Sequence, residues 1–405
     1  MKINLLKLFS SILLLSCMIT QSSNAQWVPV ASPPSNFITN HTYGFGLDGK
    51  GYLVTGGNIS GQFNNRFMQY DPVTDEFTDL DNFPGAARGF AIGDTWDGKA
   101  YFGFGASNIA YDDLWVYDPA TGWDQLASCP CNERTHPALV AHNGKVYVGL
   151  GGGQFGNLDD WWIYDIATDT WEVGARFPGA PRHHPYQFGM GDFIYVGLGH
   201  GASIYNELFR YDPATDTWDE VASLPGEGRV AGQQFSWDDK GYVLSGEGMD
   251  HLAMEEGEFW EYDPELDQWN ELPPHPGTSR WAPASFVIND EVYLFNGEVY
   301  GFGPATSVSE AYKYDLTSVM SSTDNIEKNN LSISPNPASD FITINVKDSD
   351  NTSGNYRVFN ILGKEMMNVN LESGNEKVDI SGFDNGVYIL SSEDKRSTWQ
   401  FVVSK

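Results

Sequence analysis

A Tyr-Asp pair closes a similar phrase six times in this chain, at Tyr70, Tyr117, Tyr164, Tyr211, Tyr262 and Tyr314. Typical copies are Tyr70-Asp-Pro-Val-Thr-Asp-Glu-Phe77, Tyr164-Asp-Ile-Ala-Thr-Asp-Thr-Trp171 and Tyr211-Asp-Pro-Ala-Thr-Asp-Thr-Trp218. The copies are 47, 47, 47, 51 and 52 residues apart. A nearly fixed period of that size means one supersecondary unit repeated about an axis, each copy burying its faces against its neighbours. No shorter motif in the chain constrains the fold as strongly.

Each unit reads as four short strands, and the third serves as a template. Leu139–His142 is an apolar strand a, and Asn143-Gly144-Lys145 is a tight hairpin turn of the kind Asn-Gly favours. Val146–Gly151 is strand b, with glycines that permit close backbone packing near an axis. Trp161–Tyr164 is strand c, a polar turn follows, and Trp171–Val173 is strand d. The strand b tyrosine recurs in phase at Tyr52, Tyr101, Tyr147, Tyr195, Tyr242 and Tyr293. The glycine doublet is less regular: Gly56-Gly57 and Gly151-Gly152 keep it, whereas Gly246-Glu247 and Gly297-Glu298 do not.

These landmarks over about residues 27–316 resemble the kelch repeat, a four-stranded propeller blade. The resemblance implies an all-β six-bladed propeller. The sixth copy lacks a Trp strand after Asp315, while Trp27-Val-Pro-Val-Ala-Ser-Pro33 resembles Trp218-Asp-Glu-Val-Ala-Ser-Leu224. The N-terminal segment is therefore expected to supply strand d of the last blade, leaving only short, protected sheet edges.

Residues 1–25 read as a secretory signal peptide: Lys2 and Lys7, an apolar Ile12–Leu15, and Ser23-Asn-Ala25 as cleavage site. No other apolar run reaches the length of a transmembrane helix. The propeller is assigned to 26–317 and a polar linker to 318–330. In 331–405, Pro335-Asn-Pro-Ala338, the Gly363-Lys364 turn and Asn385-Gly-Val-Tyr388 stand in the order seen in type A C-terminal sorting domains of the type IX (Por) secretion system of Bacteroidetes. That resemblance implies a small immunoglobulin-like β-sandwich and a type IX secretion machinery as partner. It also implies a protein that is secreted or held at the outer cell surface.

The net charge of −31 lies mostly in the propeller and repels nucleic acid and anionic lipid. Cys129 and Cys131 fall in Cys-Pro-Cys, and their pairing is left open by the sequence.

Strand alternation puts the d–a and b–c loops on one face. There an arginine recurs thirteen residues before each strand b tyrosine, at Arg88, Arg134, Arg182, Arg229 and Arg280, with Thr39 in blade one. Two residues on stand His41, Phe90, His136, His184, Ala231 and Ala282, expected on the same side of an extended segment. His200, Glu247 and Glu298 follow strand b at equivalent positions. Arginines, His41, His136, His184, His200, Glu247 and Glu298 together suggest a pocket for a polar, anionic ligand. The competing reading makes the arginines scaffold, bonded to loop carbonyls or neighbouring acids.

No copper-oxidase Cys–Tyr pair, Ser-His-Asp set or phosphate loop stands out, and no cofactor is called for. His41, His136 and His184 belong to blades one, three and four, and a wide channel between them argues against a metal centre. The reading is a binding module for a glycan, an anionic small molecule or a protein. The rival reading is a sugar-modifying enzyme resembling the kelch-type sialic acid mutarotases.

Overall fold

The computed structural model describes residues 27–58, 60–249, 251–301, 304–318, 331–335, 337–346, 354–360, 364–371, 374–392 and 398–405. The signal peptide and nearly all of the linker expected from the sequence lie outside these residues.

Six four-stranded antiparallel sheets account for residues 28–315. Their inner strands a are Tyr43–Leu47, Ile92–Trp96, Ala138–His142, Tyr186–Met190, Gln233–Trp237 and Ala284–Ile288. These touch in sequence from blade one to blade six, and the sixth touches the first, so the ring is closed. The a–b turns follow from composition. Asp48-Gly49, Asp97-Gly98 and Asn143-Gly144 all have both central residues at positive φ, the conformation that matches strand twist in two-residue hairpins.

The last blade is completed by Val28–Val30, which pairs antiparallel with Ala311–Lys313. The latch that joins blades two, three, four and five also holds this seam. In blades three, four and five the tyrosine of the repeated phrase donates to the phrase's second aspartate: Tyr164 to Asp169, Tyr211 to Asp216, Tyr262 to Asp267. That aspartate accepts a backbone N–H from the preceding blade, at Ala127, Ala175 and Ala222. At the seam, Asp75 accepts from Tyr70 (2.6 Å) and from Ala31 N–H (2.8 Å). The Trp27 indole N–H donates to Pro273 O of blade five at 3.0 Å. The repeat phrase is thus an inter-blade fastener, and for that reason it recurs.

A second ring of bonds runs nearer the axis. The glycine after strand b donates its N–H to the next blade's backbone at the arginine position: Gly56 to Arg88, Gly105 to Arg134, Gly151 to Arg182, Gly199 to Arg229, Gly246 to Arg280, Gly297 to Thr39. All six glycines have positive φ. A Cβ at Gly151 would stand 2.7 Å from Thr135 O, so this first position of the doublet is confined to glycine. The second position carries no such constraint, and there the doublet decays.

Cys129 and Cys131 are joined as a disulfide. The C-terminal strands form a three-stranded sheet (Leu331–Ser334, Phe341–Val346, Gly374–Asp379) and a four-stranded one (Gly354–Asn360, Glu365–Leu371, Gly386–Ser392, Thr398–Val403). Ile342, Ile344 and Val378 of the first meet Val358, Leu390 and Phe401 of the second in one core, which makes a sandwich.

Candidate functional site

The five recurring arginines do not line a pocket. Arg88, Arg134, Arg182, Arg229 and Arg280 are at most 3% exposed. Arg134 donates Nη1 and Nη2 to the two oxygens of Asp160 at 2.7 and 2.8 Å, Nη1 to Leu150 O and Nε to Asn132 O. Arg88 repeats the pattern with Asp113, Phe104 O and Ala86 O. Arg182 does so with Glu207, Leu198 O and Ala180 O, sandwiched on Tyr205. Arg229 pairs with Glu258, and Arg280 bonds Asn296 O and Glu310 O. Desolvation lowers Arg280 to about 10. Arg88, Arg134, Arg182 and Arg280 each tie the two ends of their own b–c loop together, while Arg229 joins the strand c end to the Glu227 and Gly228 carbonyls. The expectation of an arginine ring offered to an anion is therefore corrected to scaffold: equal offsets fix height along the axis but not the direction of a side chain.

The ring two residues on behaves differently. The segment is not extended there, because His41, Phe90, His136, His184, Ala231 and Ala282 all have φ between 46° and 62°. Their backbones are tied blade to blade, His136 N–H to Phe90 O and His184 N–H to His136 O at 2.9 and 3.1 Å. This left-handed corner turns the side chains into the channel mouth, where all six line one cavity. The three histidines, expected to be held apart, meet there. His136 and His184 rings are 3.5 Å apart by centroid, and His41 Nε2 lies 3.3 Å from His184 Nε2. Burial holds all three neutral, His41 at about 3, with the other two well below the ordinary histidine value.

The neighbouring positions complete the site. The residue before each ring member forms a backbone bridge with the second doublet position: Asn40 with Gly57, Gly89 with Ala106, Thr135 with Gly152, His183 with His200, Val230 with Glu247, Trp281 with Glu298. Blades one, four, five and six therefore carry polar and aromatic side chains, while the pairs of blades two and three are small. Glu298, 2% exposed, accepts from Asn40 Nδ2 and, at 2.8 Å, from Tyr300 Oη. Glu247, also 2% exposed, has His251 Nδ1 at 3.6 Å. His200 packs on His183 and His251. Burial and then His200 and His251 push His183 down to about 4, and burial followed by His251 lowers His200.

A cavity of about 470 Å³ opens over this side, lined among others by Asn40, His41, Phe63, Phe90, Trp281, Glu298 and Tyr300. Sequence reasoning missed Asn40, His183, Trp281 and Tyr300. For His183 and Trp281 the available signal was the lost doublet glycine in blades four and six, because whatever replaces it must face a partner one residue before the ring; Asn40 and Tyr300 carried no such signal.

The fold and the tail define a class: a closed six-bladed propeller carrying an export domain. Residues 332–404 match the family model of the secretion system C-terminal sorting domain. That match assigns the chain to type IX export and to a secreted or surface-attached location. Among the described residues no helix is long and apolar enough to cross a membrane. The chain is 32% identical over 130 residues to the N-acetylneuraminate epimerases of Haemophilus influenzae strains PittEE and 86-028NP, covering 30% of this chain and 33% of theirs. It is 29% identical over 143 residues to the enzyme of that name from Pasteurella multocida strain Pm70, covering 33% of this chain and 36% of that one. The chain thus spans about a third of the length of the curated relatives it matches.

Proposed function

We propose that this exported propeller binds a carbohydrate at the channel mouth, over blades six, one and two. The observation that carries the reading is the cavity of about 470 Å³ in which the buried Glu298 carboxylate, pinned by Asn40 and Tyr300, stands beside the rings of Trp281, Phe63 and Phe90. Its size falls in the range of small-ligand sites. A pyranose presents vicinal hydroxyls to a fixed carboxylate and an apolar face to an aromatic ring, and this wall offers both. The arginines are withdrawn, so neutral or amino sugars fit the acidic wall better than carboxylated ones. A glycan array followed by calorimetry tests the reading. Binding should concentrate on such sugars and weaken at least tenfold in Trp281→Ala. Retention of full binding by that variant, or the absence of any sugar ligand, overturns it.

A second reading is anomer exchange on a free sugar. It is favoured by the relatives named as N-acetylneuraminate epimerases and by the carboxylate–imidazole neighbours, the groups that general acid–base catalysis uses. NMR of anomer exchange in the presence of the protein separates the readings: exchange that is accelerated and lost in Glu298→Gln replaces binding alone with catalysis.

A further inference from the structure

Sugar binding leaves the three channel histidines unexplained. His136 has no hydrogen-bond partner at either ring nitrogen and His184 has none at Nδ1, and these atoms are closed to solvent. A buried polar atom without a partner costs free energy that a fold does not accumulate at one spot without reason. One donor atom from each of His41, His136 and His184 lies within 4.8 Å of the other two.

Proton accounting then fixes one of the rings. The Glu298 carboxylate accepts, so Asn40 turns its amide NH₂ toward it. That places Asn40 Oδ1 2.8 Å from His41 Nδ1. An amide oxygen also only accepts, so Nδ1 carries the proton and Nε2 keeps a bare lone pair. This lone pair faces His184 Nε2 at 3.3 Å, whose N–H donates to it when no ion is bound. Two nitrogens bound at ~2.05 Å to one tetrahedral ion stand about 3.3 Å apart.

We propose that His41, His136 and His184 form a binding site for a divalent transition ion of the zinc class, with Asn40 and Glu298 as the outer groups that set the His41 tautomer. Three neutral imidazoles suit zinc and its neighbours and not calcium or magnesium, which take oxygen ligands. Three protein ligands also leave a fourth position for water or a ligand oxygen, as in open zinc sites. The carboxylate–amide–imidazole chain is the kind of support that orients a metal-bound histidine. The site goes beyond the carbohydrate reading and stands whether or not a sugar binds.

The test is equilibrium dialysis of the full chain, stripped with a chelator, against zinc, with magnesium and calcium in parallel. Cobalt substitution then reports geometry. One zinc per chain and no magnesium or calcium should be retained, and the cobalt form should show the intense visible bands of a tetrahedral site. Asn40→Ala should weaken zinc about 10–100-fold, His136→Ala should abolish stoichiometric retention, and His142→Ala, on a different part of the propeller, should change nothing. No retained zinc, an octahedral cobalt spectrum, or zinc that persists in His136→Ala and follows His183, His200 and His251 instead overturns the site. If the histidine variants fail to fold, the unmodified chain's zinc stoichiometry and cobalt spectrum decide alone.

Discussion

Two rings of residues, two positions apart in sequence, divide the labour of this propeller. The arginine ring is filled in five blades of six, is buried, and joins each guanidinium to acids or carbonyls of its own blade. The next ring holds His, Phe, His, His, Ala and Ala, and it faces the channel. What recurs in every blade answers a need every blade shares, here closing the b–c loop. What changes from blade to blade answers a need that only one place has. In a repeat protein the departures from the repeat point to the site more reliably than its landmarks do.

The sharpest way to break this comparison is Arg182→Ala. It would leave Glu207 without its cation and the Leu198 and Ala180 carbonyls without donors. We expect a loss of about 3 kcal/mol in chemical denaturation, with little rescue by Arg182→Lys, since an ammonium does not reproduce the fork. A loss below about 0.5 kcal/mol would return the arginine to the functional side of the comparison.

The glycine doublet offers the same contrast within one dipeptide. Gly151→Ala forces a Cβ against Thr135 O at positive φ and should cost about 1–3 kcal/mol. Gly152→Ala should cost clearly less, because its nearest neighbour is the Thr135 hydroxyl, which can rotate away. Equal losses in the two variants would remove the explanation for why only the second position varies.

Acid stability sharpens the comparison at the closing seam. Burial pushes His275 down to about 3; its Nε2 faces Ser245 Oγ at 2.9 Å and its ring packs on Trp27. The folded state binds this proton less tightly than the unfolded chain, whose histidine titrates near 6.5. The stability it contributes is therefore present above about pH 6.5 and is lost as pH falls toward about 3. His275→Gln should flatten the unfolding free energy between about pH 6 and 4 relative to the unsubstituted chain. An unchanged slope would show that this ring is not held neutral.

The smallest effect is expected in the varied ring. His136→Leu removes two unpartnered ring nitrogens at a similar side-chain volume, so without metal its melting temperature should be unchanged or a few degrees higher. A large destabilisation would mean that His136 is scaffold after all.

Much of the architecture was legible in the sequence because it is written in repeated local chemistry. The blade count, the strand order within a blade and the closing strand at Trp27 follow from Tyr-Asp, Trp and Asn-Gly landmarks whose spacing fixes register. The export tail followed from Pro335-Asn-Pro337 to Lys405. Offsets from the strand b tyrosine also placed residues at a common height: His41, His136, His184, His200, Glu247 and Glu298 all lie on the one face.

Side-chain direction was not legible. Whether Arg182 reaches inward or back to Glu207 depends on a carboxylate 25 residues away. The convergence of His41, His136 and His184 depends on the left-handed corner at each position and on the width of the mouth. An offset carries neither. The ring and its closure are written in the repeat, since periodic apolar faces bury themselves against their neighbours. Which charges are consumed by the scaffold and which side chains meet across the axis emerged on folding, because contacts between blades are set by three-dimensional distance and not by separation along the chain.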